Sequence, residues 1–372
     1  MHRRPHALTA LIVLMSFALS DCRHKDPDWI QPGIRTGAAL FTRGTFLVTP
    51  STGRVTDIEF GELRAPGKLE LGVAGEYGAE FFDRYRVQQA RIEFEPRDLQ
   101  GWNTGSEIVK RTSKNPLLFF RHDGGYNAAL ADSQGGNLWQ FPYDGVSSAA
   151  FGFVGPDGAP EFFFVDQYGA KDGTVEACDL KGQTIWRREG IARWNSSLAL
   201  VKLDASGPPA LVLDSGTDLL AIDHSGHTIF KHPEVVNLAE FTTVTWPPLC
   251  PEQCLIASGD RELFLTSPDG KEPIGRLPAL YTRDLRAVAV KFYEDRDPLL
   301  AVVGLLKYQG QLVGFKAVRG ALYIFDAAGK PVYNEVLNEL CQSVAALPSA
   351  DGKTETLLVG AENKVLEYRP SN

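Results

Sequence analysis

The chain has 372 residues, of which 44% are apolar and 23% are charged, and its formal net charge is −8. An acidic chain offers no global positive field for a nucleic-acid backbone or an anionic membrane surface, so we expect no nucleic-acid partner. No stretch reaches the roughly 20 apolar residues that a transmembrane helix needs.

The N-terminus predicts export. Arg3 and Arg4 precede an apolar run over residues 7–20, which has the size of the hydrophobic region of a secretory signal and is too short to span a membrane. We therefore assign residues 1–21 to a signal peptide. The polar residues 22–33 then form a tether, and residues 34–372 form the folded domain.

The end of the apolar run, Leu19-Ser20-Asp21-Cys22, resembles a bacterial lipoprotein signal, in which the cysteine carries the lipid. Asp21 departs from that pattern, because a small residue normally precedes the cysteine. The alternative is cleavage by ordinary signal peptidase, with Cys22 incidental. Both readings place the protein in the bacterial envelope, either in the periplasm or held to the membrane by lipid at Cys22.

A short turn of the form Asp-x-x-Gly, once with Ser in place of Asp, recurs with a period of about 44 residues. Asp can accept a backbone N–H within such a turn, and Gly supplies the positive φ that reverses the chain. The turns end at Gly135, Gly182, Gly226, Gly270 and Gly329. Four positions further on, each unit has a large apolar residue, which is Trp139, Trp186, Phe230, Ile274 or Tyr333.

Five such turns in near register indicate propeller blades, because a single meander of strands cannot bury both of its faces alone. The pattern continues less regularly at residues 46–53 and 79–83, and residues 364–368 repeat the strand before the turn. We therefore predict an all-β fold, a single β-propeller of about seven or eight blades. The terminal strand is expected to complete a blade begun by the N-terminal segment.

Residues 131–139 and 177–186 resemble the repeats of quinoprotein-type (PQQ-like) β-propellers. The loops at 155–160 and 204–209 are similar to those of FG-GAP or VCBS-type blades. These resemblances imply architecture and not activity, since one fold carries many functions. Quinoprotein dehydrogenases of this kind use an adjacent pair of cysteines and acidic calcium ligands, whereas no two cysteines are adjacent here. We therefore expect no quinone and no other cofactor.

The sequence offers weak candidates for metal ligands. The calcium loops of FG-GAP blades carry several carboxylates around one ion, while the loops at Asp157 and Asp204 offer one each. Three histidines, His224, His227 and His232, fall within nine residues but occupy a turn, the position after its glycine and the end of a strand. We interpret them as turn and surface residues, and we expect no metal site.

The cysteines divide into two groups. Cys250 and Cys254 form a close pair in an exported chain, where a disulfide is chemically allowed, and free thiols are the alternative. Cys178 and Cys341 lie in apolar strands, where cysteine behaves as a small buried hydrophobe.

The loops between the second and third strands of each unit share the face opposite to the Asp-x-x-Gly turns. The longest covers residues 305–319. Repeat proteins commonly bind where insertions concentrate on one face, and the alternative is a longer solvated hairpin. The aromatic and cationic residues of this candidate binding face are Tyr126, Tyr168, Lys307, Tyr308, Lys316 and Arg319.

We nominate no catalytic residue, because no nucleophile elbow, zinc-protease motif or phosphate loop occurs in the sequence. The sequence predicts a non-catalytic, envelope-associated binding or scaffold protein whose partner is another envelope protein. In layout it resembles the propeller lipoproteins of outer-membrane assembly machinery. The alternative is an extracytoplasmic enzyme that acts on a carbohydrate or similar small molecule, with acids from distant blades meeting in the central funnel.

Overall fold

The computed structural model describes residues 28–49, 51–95, 104–109, 117–123, 128–140, 146–153, 160–166, 173–192, 197–204, 207–216, 218–233, 240–259, 261–280, 282–309 and 315–371. The chain divides into two compact units, Met1–Gln31 and Pro32–Asn372. In the first unit, the described residues form a 3₁₀ helix at Asp28–Ile30. The predicted signal peptide and Cys22 lie outside the described residues. Within the described ranges, no helix is both long enough and apolar enough to span a membrane.

The described residues of the second unit form antiparallel sheets. The first strands are β1 (Gly33–Thr36) and β2 (Phe41–Val48). Blade 1 contains β3 (Val55–Glu62), β4 (Leu69–Gly75), β5 (Gly78–Phe82) and β6 (Gln88–Glu93). Blade 2 contains β7 (Thr104–Val109), β8 (Leu118–Asp123), β9 (Ala128–Ala131) and β10 (Asn137–Gln140). Blade 3 contains β11 (Val146–Phe153), β12 (Pro160–Asp166), β13 (Thr174–Asp179) and β14 (Thr184–Arg188).

Blade 4 contains β15 (Leu198–Val201), β16 (Ala210–Asp214), β17 (Asp218–Ile222) and β18 (Thr228–Pro233). Blade 5 contains β19 (Phe241–Trp246), β20 (Cys250–Ser258), β21 (Glu262–Thr266) and β22 (Pro273–Pro278). The five-stranded sheet contains β23 (Thr282–Val290), β24 (Leu299–Gln309), β25 (Phe315–Phe325) and β26 (Pro331–Leu337), with β1 at the edge of β26. The closing blade contains β27 (Cys341–Pro348), β28 (Glu355–Ala361) and β29 (Lys364–Pro370), with β2 as its outer strand.

The expected count of seven or eight four-stranded blades is corrected by this topology. The described residues form six four-stranded blades, and the remaining sheet has five strands. The repeat pattern counted residues 46–53 as a unit, whereas β2 is the outer strand of the closing blade. The turn at Gly53 therefore connects two blades and does not lie within one.

The first strands of neighbouring sheets contact one another in sequence order, and β27 contacts β3, so the inner strands surround a central channel. The apolar core fills the spaces between adjacent sheets. Phe81 and Phe119, for example, join blades 1 and 2 in one buried cluster. Each sheet buries both faces only because it has neighbours, which is the physical reason for the repeat.

Chain termini close the ring. β2 pairs with β29 from Phe41↔Pro370 to Val48↔Lys364. The C-terminal strand thus completes a blade begun by N-terminal residues, as the repeat pattern predicts. We call the side with the loops between second and third strands the loop face, and the side with the Asp-x-x-Gly turns the turn face.

The recurring aspartate accepts two backbone N–H groups within its own turn. At Asp223, for example, Oδ1 accepts from the N–H of Ser225 and of His227, both at 2.9 Å. The glycine of each turn has a positive φ, and the aromatic residue of the preceding blade can cover it. A Cβ on Gly226 would come within 2.9 Å of the Trp186 ring. The indole Nε1 of Trp186 also donates to the backbone oxygen of His224 at 3.0 Å.

Blade 1 has the same turn without its glycine. Asp83 accepts from the N–H groups of Tyr85 and Val87 at 2.9 Å, and Arg86 stands in the left-handed position with φ at 68°. The Arg86 guanidinium lies 4.2 Å from the centre of the Phe46 ring and pairs with Glu367 at 3.1 Å. Its contacts to the closing blade offset the backbone strain of a non-glycine residue in this region.

Candidate functional site

A polar cavity lies in the central channel. Its volume is about 240 Å³, and its lining comes from the inner strands β3, β7, β19, β23 and β27. Most of these lining residues lie in the first half or the middle of their strands, and the inner strands start on the loop face. The cavity therefore lies toward the loop face. The polar residues that line it are Asp57, Glu59, Glu107, Thr242, Arg286 and Ser343.

One ion pair joins opposite parts of the channel wall. Arg286 on β23 donates from Nη2 to Oε1 of Glu107 on β7 at 3.0 Å. Both side chains are nearly half exposed, at 47% and 42%. Because water screens a pair of this exposure, it contributes little to stability. Its effect is to place a cation and an anion at fixed positions in the wall.

Asp57 is the carboxyl group whose environment differs most from water. Its Oδ1 accepts the N–H of Ile58 at 2.9 Å, and its Oδ2 accepts the N–H of Ile108 from the next blade at 2.7 Å. Burial raises the pKa of Asp57 well above its usual range, and the charges of Glu59 and Glu107 raise it further. A carboxyl with a raised pKa in a concave, polar wall is a common feature of functional sites.

Ser343 completes the polar lining from the closing blade. Its side chain is 2% exposed, and its hydroxyl oxygen has no hydrogen-bond partner. The residue opposite it on β28 is Gly360, where a Cβ would overlap the Ser343 hydroxyl. Linear sequence reasoning missed this site, because its residues follow no motif and meet only when the ring closes.

The predicted binding face depends on the hairpin of β24 and β25. Each strand has eleven residues, whereas β20 and β23, the next longest, have nine. Pairing with β23 ends at Leu306, and pairing with β26 begins at Gly320. Beyond these points, among the described strands, residues 307–309 and 315–317 pair with each other and extend past the sheet. We call these residues the projecting ribbon.

The candidate binding residues fall in three places. Lys307, Tyr308 and Lys316 belong to the projecting ribbon, where Tyr308 and Lys316 are paired across the two strands. Arg319 lies at its base, opposite Leu306, and is partly buried. Tyr126 and Tyr168 lie outside the described residues.

Cys250 and Cys254 are joined by a disulfide, with their Cα atoms 5.9 Å apart, at the turn between β19 and β20. Both residues are buried. Trp246, which pairs with Cys250 in the ladder, is also fully buried and donates its indole N–H to the backbone oxygen of Pro298 at 2.8 Å. The disulfide thus lies beside a packed aromatic residue and away from the channel.

The three clustered histidines have separate environments. His227 is 81% exposed and lies 3.5 Å from Asp223 in its own turn. Nε2 of His232 lies 2.7 Å from the backbone oxygen of Asp269 in the next blade. Throughout the described ranges, no three His, Cys, Asp or Glu side chains are grouped to hold a metal ion.

We expect Cys178 and Cys341 to resist alkylation in the folded protein. Both are buried, and burial raises the pKa of Cys178 to about 12 and raises that of Cys341 as well. Only the thiolate reacts, and at pH 8 about one part in ten thousand of Cys178 is ionised. Peptide mass spectrometry after iodoacetamide treatment should find both unmodified in buffer and modified in urea. Modification of either residue in native buffer would contradict the structure.

The fold and its channel define the class of this chain as a β-propeller. No protein-family model matches it, and no curated protein matches it either. The expected all-β propeller is confirmed, while the finer resemblance to quinoprotein and FG-GAP repeats stays a prediction.

Several solved propellers are similar in fold. A catalytically inactive virginiamycin B lyase from Staphylococcus aureus, solved with quinupristin, is 10% identical, with a TM-score of 0.55 over 88% of this chain and 99% of that chain. The Pan2 WD40 domain of Neurospora crassa is 10% identical, with a TM-score of 0.53 over 91% and 98%. BBS1N in complex with ARL6DN is 10% identical, with a TM-score of 0.56 over 91% and 97%. At these identities the likeness concerns the fold alone.

Proposed function

We propose that this protein is an exported binding or scaffold module that holds another envelope protein on the loop face of its propeller. The observation that supports the proposal is the projecting ribbon, in which β24 and β25 continue beyond both neighbouring strands. The signal-like N-terminus supports export. Lipid on Cys22 would attach the module to the membrane, and ordinary cleavage would leave it in the periplasm.

The ribbon has a physical reason to bind. Its two strands have lost their outer neighbours, so each exposes backbone N–H and C=O groups along one edge. An extended segment of a partner can pair with such an edge, and the ribbon supplies Lys307, Tyr308 and Lys316 for side-chain contacts. An isolated two-stranded ribbon is marginal in water, so a partner strand would also stabilise it.

Shortening the ribbon should abolish the partner complex. Because Lys307 and Ala317 face each other, an Asn-Gly turn can replace residues 308–316 without altering the remaining sheet. We expect a crosslinking pull-down from detergent-solubilised envelopes to recover one stoichiometric partner with the unaltered chain and none with the shortened one. The thermal unfolding temperature should stay unchanged.

A point variant refines this test. Tyr308→Ala should reduce recovery of the partner severalfold, in the manner of an aromatic interface residue. The matched control is Tyr85→Ala, which removes a 73% exposed tyrosine from a turn on the turn face. Failure of the unaltered chain to recover a partner, or full recovery by the shortened chain, would refute the scaffold proposal.

An extracytoplasmic enzyme is the second candidate function, and the channel favours keeping it. The cavity has no apolar plug in the described part of the wall, and three carboxyl groups converge there from blades 1 and 2. Such an enzyme would bind a neutral carbohydrate or similar small molecule beside Asp57. The binding experiment described below includes a neutral sugar for this reason.

A further inference from the structure

The strongest charge imbalance in the described part of the channel lies along β3. Asp57 and Glu59 are two residues apart on this strand, so their side chains project to the same side. Together with Glu107 they give the cavity three carboxyl groups, against the single guanidinium of Arg286, which is already paired with Glu107. With all groups ionised, these lining residues would leave a net negative charge in a concave wall, which attracts cations.

A second observation, independent of the carboxyl groups, points to a missing ligand. The Ser343 hydroxyl belongs to the cavity lining, is buried, and has no hydrogen-bond partner. Leaving a buried hydroxyl unsatisfied typically costs about 1–3 kcal/mol, so such groups usually serve a bound water or ligand. Ser343 belongs to the closing blade, and it therefore reaches the cavity from a different sheet than the carboxyl groups do.

The size of the cavity limits what can occupy it. A volume of about 240 Å³ corresponds to roughly eight water molecules at their share of liquid volume. This is more room than a bare metal ion requires and less than a typical drug-sized ligand fills. An organic cation of a few heavy atoms fits the space.

We propose that the central channel binds a small organic cation, an amine or guanidinium compound, whose N–H groups donate to Asp57 and Glu59 and to the Ser343 hydroxyl. Charge-assisted hydrogen bonds of this kind are the strong class of polar contact. The site does not involve the projecting ribbon. Each of the two proposals can therefore fail without the other.

Binding should depend on pH through Asp57. The charged groups that face it are Glu59 on its own strand, Glu107 on β7 and Arg286 on β23, and burial together with the two glutamates raises its pKa. A bound cation favours the ionised carboxylate and so lowers this pKa. The cation should therefore bind more tightly as pH rises through the titration of Asp57, and below that range binding should release a proton.

Isothermal titration calorimetry on the full chain tests the proposal. Methylguanidinium and putrescine are the cationic probes, glucose is the neutral probe and succinate is the anionic one. We expect at least one cation to bind, with neither glucose nor succinate binding. Glu59→Gln should weaken the cation about tenfold or more, and Ser343→Ala should weaken it about threefold, because one loses a charged contact and the other a neutral one.

The matched control is Glu93→Gln, which removes a 72% exposed carboxylate from the outer strand of blade 1 and should leave binding unchanged. Titrations in two buffers of different ionisation enthalpy report the released proton. Unaltered thermal unfolding shows that each variant is folded. The proposal is overturned if neither cation binds at millimolar concentration, if Glu59→Gln binds as the parent chain does, or if glucose binds in place of the cations. The last result would favour the enzyme alternative.

Discussion

Replacing Gly182 with alanine is expected to lower the free energy of unfolding by about 2–4 kcal/mol. Gly182 has a φ of 75°, where an L side chain is strained by about 1–2 kcal/mol. A Cβ there would also overlap the indole ring of Trp139, which belongs to the outer strand of the preceding blade. Overpacking of this kind typically costs a further 1–3 kcal/mol. Urea unfolding followed by circular dichroism measures the change.

Gly190→Ala is the matched control for this prediction. Gly190 has nearly the same φ, at 68°, but no neighbouring atom lies within 4 Å of the position of its Cβ. Its substitution should cost about 1–2 kcal/mol, since only the backbone strain remains. In a Trp139→Ala background, the cost of Gly182→Ala should fall toward that of Gly190→Ala. Equal costs for the two glycine variants in the parent chain would show that Trp139 does not restrict residue 182.

This contact explains why the sequence predicted the fold so well in the middle of the chain. The glycine of one turn and the aromatic residue of the preceding unit are recurrent because they touch, as Trp186 and Gly226 also do. A local pattern of two residue types thus reports packing between neighbouring blades. Periodicity in the sequence and contact in the structure are here the same fact.

The pattern failed where a different contact replaced the usual one. At Arg86 the glycine is missing, because the guanidinium holds the left-handed turn by contacts to Phe46 and Glu367. The number of blades was also wrong for a nonlocal reason. β2 pairs with β29 across almost the whole length of the chain, and no local signal distinguishes such a strand from the start of a new unit.

The channel site was hidden from sequence reasoning in the same way. Glu107 and Arg286 are 179 residues apart, and their pairing follows from the positions of their sheets around the ring. Asp57 and Glu59 alternate with buried Ile58, which any strand with one polar face would show. A propeller builds its central site from single residues on many strands, so linear motifs do not find it.

Replacing Glu335 with leucine is expected to destabilise the closure of the ring by about 3 kcal/mol. Glu335 lies on β26 and is 3% exposed. It accepts the hydroxyl of Tyr333 at 2.8 Å and that of Tyr368 at 3.0 Å, and it pairs with Arg43. Because the Arg43 side chain is 47% exposed, water can replace part of that ion pair. Most of the cost arises from the two tyrosine hydroxyls, which lose their buried acceptor.

The position of these partners determines how the loss should appear. Arg43 lies on β2 and Tyr368 on β29, so one carboxylate connects the N-terminal and C-terminal strands to the neighbouring five-stranded sheet. We therefore expect amide hydrogen exchange in residues 41–48 to accelerate more than exchange in blades 2 to 5, since the closing strand opens first.

Glu335→Gln keeps an acceptor oxygen, and about half of the destabilisation should remain because the charge is lost. Glu262→Gln, which removes a surface partner of Arg276, is the control and should change stability by less than about 0.5 kcal/mol. Should Glu335→Leu leave both the urea midpoint and the exchange of residues 41–48 unchanged, the backbone ladder between β2 and β29 would be sufficient to close the ring. Acceleration confined to those residues would instead show that the propeller is closed by a ladder and a buried carboxylate acting together.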